Sequence, residues 1–379
     1  MMDQWVSPDR LFDGRDVLTG KALRLVDGRV VDMDETPAEA IRVRGMISPG
    51  YVDLQVNGGG GAQLNDRPTV AAMDTISAAH RQFGTVALLP TVITDAPDVL
   101  EAAAEAAIGA KGREGVAGLH IEGPHISLAR RGTHAPGHVR PFEARTLDTV
   151  ARLRKAGVAV MITLAPEAAT MDDISALAGL GAIVSLGHTD ADAGLMRQAI
   201  EAGATCATHL FNAMSPMVGR APGAVGTIIN SDCYSGIICD GHHVADEMVG
   251  MAIRARPVPD RMFLVSDAMA TVGGPDHFEL YGKTITLQNG RLVNAEGSLA
   301  GAHVTQAEGV KRLVDHTGTS LTTALRMATS IPATCIRRPE LGKLAGRPIT
   351  DLIVLNDDLT VRGDLASVVD FTLDEMTAG

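Results

Sequence analysis

Six polar residues stand at the ends of apolar runs in this sequence. Gln55 and Asn57 close YVDLQVN, Glu122 closes VAGLHIE, His188 closes AIVSLGH, His209 closes ATCATH and Asp267 closes MFLVSD. A further run, YSGIICD, leads straight into Asp240, His242 and His243. One carboxylate and two imidazoles, here Glu122, His188 and His209, are the set that holds a catalytic zinc while leaving a position open for water. Eight of the twelve histidines fall between residues 120 and 243, the kind of clustering a metal site produces. A single strand-end histidine is more often a hydrogen-bonded rim residue, and a single aspartate there a helix cap. Coincidence over five such runs is what favours a shared site. Its members come from separate runs, so only tertiary structure can assemble it, and no HExxH-type local motif is present.

The elements that would have to position these residues are legible as a pattern. YVDLQVN, TVALLP, VAGLHIE, VAVMITLAPE, AIVSLGH, ATCATH, YSGIICD and MFLVSD are short, apolar and rich in β-branched residues, and Ala-rich stretches separate them. This alternation marks successive βα units around a parallel sheet, and eight units predict a closed (β/α)8 TIM-like barrel. In such an α/β fold the chemistry sits at the C-terminal ends of the strands, where all the residues named above fall. Both ends of the chain are β-rich instead. KALRLVDGRVVDM reads as a hairpin turning at Asp27-Gly28, and DLIVLNDDLTV repeats the theme near the C-terminus. Residues 1–48 and 345–379 are expected to pair as a small β-sandwich domain beside a catalytic barrel of residues 49–344.

Composition narrows the partners. A chain of 379 residues, 45% hydrophobic and 21% charged, can bury a large core. Its net charge of −12 argues against nucleic acid or an anionic membrane surface, either of which calls for a basic face. No apolar run approaches the ~20 residues of a membrane span, and the first ten residues lack a signal-peptide core, so a cytoplasmic protein is expected. Cys206, Cys233, Cys239 and Cys335 show no CxxC spacing and read as packed free thiols.

GLHIEGPHI, RRGTHAPGHVR, SLGHTDA, ATHLFNAMSP, CDGHHV and VSDAM, taken in order and spacing, resemble the signature stretches of the N-acetylglucosamine-6-phosphate deacetylases of the amidohydrolase superfamily. The resemblance runs from PGYVD at residue 49 to GRPITDLIVL. It implies hydrolysis of the acetamide of an amino sugar phosphate, at one divalent metal ion per subunit held by Glu122, His188 and His209. Zinc is the expected ion, with other divalent transition metals as alternatives. Asp267 is the expected proton carrier and His134, in the GTH stretch, the residue that orients the acetamide oxygen or the sugar. For the 6-phosphate the resemblance points to the backbone of Asn212 and Ala213, to His243, and to Arg220 reaching the neighbouring subunit's site in a homodimer.

Many superfamily members carry His-x-His where this chain has Gln55 and Asn57. Neutral amides are poor zinc ligands beside imidazole, so positions 55 and 57 read as the vestige of a second metal position. Gly58 to Gly61 are expected to let the backbone pass close to the site. His125 stands where relatives often carry a bulky apolar residue, and His242 adds an imidazole beside His243; either could shift substrate choice. Two rival readings are another amidohydrolase acting on a different amide or cyclic imide, and a catalytically silent barrel that binds an amino sugar phosphate. The first commonly uses His-x-His and a lysine on the fourth strand, where MITLAPE has none. The second has no use for Asp267.

Overall fold

In the computed structural model of the chain, residues 3–295, 297 and 299–369 are described. Eight parallel strands form the body: Tyr51–Val56, Thr85–Ile93, Leu119–Glu122, Val160–Leu164, Ile183–Leu186, Cys206–Ala207, Tyr234–Ile237 and Met262–Leu264. They are the eight expected runs, paired in chain order. The seam between the first and the eighth strand is closed beyond the regular ladders. Asp267 donates its N–H to the Gln55 carbonyl at 3.0 Å, and Asn57 donates to the Ala268 carbonyl at 2.9 Å. The buried Asp53 carboxylate accepts the Ser266 N–H at 3.2 and 3.3 Å.

Most of the helices cover the barrel with one apolar face, while Gly223–Ile229 is buried all round. Val70–Arg81 starts at Thr69, whose side chain accepts the Ala72 N–H, and buries Ala72, Met73, Ile76, Ala79 and His80, which share a single stripe. Inside the barrel, below the strand ends, the core is partly polar and carries a hydrogen-bonded cluster: His120 Nε2 meets the Thr163 hydroxyl at 2.7 Å, and Thr208 bridges Thr163 and Ser185 at 2.6 and 2.7 Å.

The ends of the chain do pair. Ile41–Pro49 runs parallel to Asp3–Phe12 and antiparallel to Leu352–Leu355, within one continuous seven-stranded sheet that also contains Lys21–Val26, Arg29–Glu35, Val361–Asp364 and the short Val17–Leu18. Val6, Leu23, Leu25, Val43, Ile47, Leu352 and Val354 join in its own buried cluster. Asp27 and Gly28, at φ 49° and 70°, form the tight turn between Lys21–Val26 and Arg29–Glu35. Residues 370–379 of the expected terminal segment lie outside the described residues.

One element was not anticipated. After the eighth barrel strand, His277–Leu280, Lys283–Gln288, Arg291–Val293 and Leu299–Ala302 form a four-stranded antiparallel sheet. Its first two turns are Tyr281-Gly282 and Asn289-Gly290, all at positive φ. The Asn-Gly pair between KTITLQ and RLV was the signal that could have revealed it. Phe278, Leu280, Ile285 and Leu292 pack its inner face onto Ile93 and Met269 at the barrel mouth.

Candidate active site

The strand ends bring Glu122, His188 and His209 into contact. Oε1 of Glu122 lies 3.1 Å from Nε2 of His188 and 3.0 Å from Nε2 of His209, and the two Nε2 atoms are 3.1 Å apart. All three residues are buried. Two imidazole nitrogens and a carboxylate oxygen turned toward one another at this spacing suit three ligands of a single ion with bonds of roughly 2.0–2.2 Å. On the far side of the His188 ring, Nδ1 donates to the Arg130 carbonyl at 2.9 Å, which fixes the tautomer that presents the Nε2 lone pair. His188, His209 and Asp267 have φ of 49°, 25° and 51°, a region that non-glycine residues seldom adopt and that marks strain at functional sites.

His134 belongs to the same centre. One ligand atom from each of Glu122, His134 and His188 falls within 4.8 Å of the others, and the His134 and His188 rings are 4.4 Å apart. Nδ1 of His134 meets the Thr94 hydroxyl at 2.7 Å. Burial, reinforced by His188, pushes the His134 imidazole down to about 3, so it works as a neutral ring.

The two amides of the first strand have partners of their own. Gln55 Nε2 donates to Oε1 of Glu122 at 2.9 Å and to Oδ1 of Asp267 at 3.1 Å, and Asn57 Nδ2 donates to the same Oδ1 at 2.7 Å. Burial, and next the Glu122 charge, push the Asp267 carboxyl up to about 6. Glu122 is driven the other way: burial alone would raise it, but the bonds and charges of His188 and His209 hold it well below the usual carboxylate range. The glycine run packs against the segment after Asp267, with Gly58 donating to Ala268 and Gly61 to Ala270. A Cβ on Gly58 would stand 2.5 Å from the Ala62 carbonyl oxygen, so the close passage does require glycine there.

A cavity of about 190 Å³ opens over this centre and is lined by Asn212, Ala213 and His243 as well as the residues already placed. Met269, Leu299 and Gly301 line it too, from the segment after the eighth strand and from the unanticipated sheet. Arg220 is not brought to it. That residue sits exposed at the tip of a tight turn in which Val218 and Ala221 exchange backbone hydrogen bonds of 2.9 and 3.0 Å. His125, named above as a residue that could shift substrate choice, is not among the residues that line the cavity. It is fully buried away from the cavity lining, bonded to the Thr146 hydroxyl at 2.8 Å and the Arg140 carbonyl at 3.2 Å, so it braces the loop that carries His134. His242 lines a separate neighbouring cavity of about 350 Å³.

Residues 46–377 match the model of the Amidohydrolase family. The chain is 41% identical over 321 residues to the N-acetylgalactosamine-6-phosphate deacetylase of Shewanella sp. (strain ANA-3), covering 84% of this chain and 81% of that protein. It is 32% identical over 371 residues to the N-acetylglucosamine-6-phosphate deacetylase of Haemophilus influenzae, covering 94% and 96%. The crystal structure of N-acetylglucosamine-6-phosphate deacetylase from Pasteurella multocida superposes with a TM-score of 0.88 at 32% identity, over 95% of this chain and 97% of that one. Such a family implies a divalent metal, for which the Glu122, His188 and His209 cluster is the candidate site. A barrel of eight parallel strands, matched along nearly its whole length, belongs to the amidohydrolase family.

Proposed function

We propose that this chain removes the acetyl group from N-acetyl-D-glucosamine 6-phosphate, giving D-glucosamine 6-phosphate and acetate. The observation that carries the reading is the convergence of Glu122, His188 and His209 within 3.1 Å beside a half-buried Asp267. Relatives that bear this activity in their names span nearly the whole chain and support it.

The chemistry divides among the residues as an acetamide demands. Glu122, His188 and His209 would hold one divalent ion, zinc by the composition of the set, and such an ion polarises an amide carbonyl and makes a bound water more acidic. Asp267 takes the proton of the attacking water and delivers it to the departing amine; a carboxyl pushed up to about 6 can do both near neutral pH. Gln55 and Asn57 both donate to its Oδ1, which leaves Oδ2 to carry the proton. His134, neutral through burial, can donate from Nε2 to the acetamide oxygen or a sugar hydroxyl when Thr94 donates to Nδ1. The 6-phosphate is held by His243, by backbone groups of Asn212 and Ala213, and by Arg220 from the partner subunit of a homodimer. The exposed turn at 218–221 suits such a reach. Four buried free thiols suit a reducing, cytoplasmic setting. Among the described residues no helix is long and apolar enough to cross a membrane.

A second reading is favoured by one observation: the 41% identity to a protein named for N-acetylgalactosamine 6-phosphate exceeds the 32% to one named for the glucosamine epimer. Comparing kcat/KM on the two phosphorylated sugars and on unphosphorylated N-acetylglucosamine tests both. A clear preference for the galacto sugar would replace the first reading, and no acetate release from any of them would refute both.

A further inference from the structure

His243 reaches the catalytic cavity from the turn after the seventh barrel strand, and its other ring nitrogen is already taken. Nδ1 of His243 stands 2.6 Å from Oδ2 of Asp240. Oδ1 of the same carboxylate accepts the backbone N–H of His242 at 2.8 Å and that of His243 at 2.9 Å. Only 5% of the Asp240 side chain is exposed, so the bond is shielded from competing water. The turn has little room to shift. Gly241 lies at φ +76°, and a Cβ there would stand 2.2 Å from Cζ of Arg312. The Arg312 guanidinium is itself forked onto Asp246 by bonds of 2.8 and 2.7 Å.

We propose that Asp240 is a positioning residue that fixes the orientation of His243 and serves as its counter-charge, so that the ring meets the substrate phosphate as an imidazolium, donating from Nδ1 to Asp240 and from Nε2 to the phosphate. The proposal rests on the role given to His243 above. An ionised carboxylate can only accept, so the Nδ1 facing it must carry a proton. Asp240 stays ionised across the working range: burial would raise it, but the bond from His243 and its charge hold it at about 2. Its two oxygens have separate tasks, Oδ1 for the backbone and Oδ2 for the ring. That division makes the effect of Asp240→Asn specific. The amide oxygen takes over the two backbone N–H groups, and the NH2 is turned toward His243, where it can only donate. Nδ1 must then be bare, and the ring, with its single proton on Nε2, meets the phosphate without a positive charge.

The test is 15N NMR of the histidine rings in the intact protein, with His243 assigned by comparison with His243→Ala. Nδ1 of His243 is expected to be protonated in the wild type and unprotonated in Asp240→Asn. A bare Nδ1 in the wild type, or an unchanged one in the variant, overturns the proposal. This readout needs no turnover, so it stands or falls separately from the substrate assignment, and the wild-type arm holds even if the variant does not fold. In kinetics, Asp240→Asn should raise KM for the phosphorylated sugar roughly tenfold, with kcat changed far less and the unphosphorylated sugar little affected. In the His243→Ala background the same substitution should have no further effect, because Asp240 acts only through the ring. A further loss in that background would make Asp240 a general structural residue instead.

Discussion

Asn57 donates through its amide nitrogen to Oδ1 of Asp267 at 2.7 Å, and Gln55 donates to the same oxygen at 3.1 Å while also reaching Glu122. Two side chains that cannot ionise thus serve as N–H donors to the two carboxylates of the site. A second cation at this end of the first strand would face hydrogens rather than lone pairs.

From this follows a metal content of about one divalent ion per chain, the three-ligand-plus-open-position pattern. Elemental analysis of purified protein should give that ratio, and Glu122→Ala or His209→Ala should empty the site. Two tightly held ions per chain would contradict the donor role of Gln55 and Asn57.

Asp267→Asn should keep the metal and bind substrate while kcat falls by roughly 10²–10⁴, the usual worth of a positioned acid–base group. Loss of metal in that variant would make Asp267 a ligand. Asn57→Leu probes the same carboxyl more gently. The Asn57 hydrogen bond is among the influences that hold the Asp267 carboxyl down, so its removal raises that carboxyl further. The base must be ionised to accept a proton, so activity lost on acidification should be lost at a higher pH than in the wild type. A pH–rate profile with an unmoved acidic limb would refute this.

Arg220 can be tested together with the dimer. Arg220→Ala and Asp267→Asn should each be nearly inactive alone on the phosphorylated sugar, yet complement when co-expressed. Random pairing makes about half the dimers mixed, each with one whole site, hence roughly a quarter of wild-type activity in a two-fold assembly. Activity no higher than the mean of the two single variants, with mixed dimers shown to form, would place Arg220 in its own chain's function.

His80 provides a pH test away from the catalytic residues. Its Nε2 lies 2.9 Å from the Gly58 carbonyl oxygen, under the glycine run, and burial pushes its imidazole down from 6.5 to about 4. Between those values the unfolded chain takes up a proton that the folded one refuses, so stability falls as pH drops through this window. The contribution by pH 4 is about 3 kcal/mol. His80→Gln retains an amide donor for Gly58 and does not titrate. Its urea midpoint should therefore decline less than the wild type's between pH 6.5 and 4; parallel declines would show that His80 protonates freely in the native state.

Much of this molecule was readable in one dimension. All eight barrel strands were found from short β-branched runs, and the Asp27-Gly28 turn from its dipeptide, because periodicity and turn chemistry act within a few residues. Barrel topology then sends every strand's C-terminal residue to one face, so Glu122, His188 and His209 could be grouped although 87 residues separate the first from the last. The sheet after Asp267 was missed although HFEL and TITL alternate strictly and its strands are as long as several barrel strands; only their packing on Ile93 and Met269 shows where they belong. What His125 does was decided by tertiary structure alone: nothing local distinguishes an imidazole facing a cavity from one bonded to Thr146 and the Arg140 carbonyl. The same holds for the amides of Gln55 and Asn57, whose partners lie 67 and 210 residues away, and for Arg220, which stays outside its own chain's cavity. A residue's type limits the bonds it can make, but which bond it makes depends on the atoms that folding brings within about 3 Å.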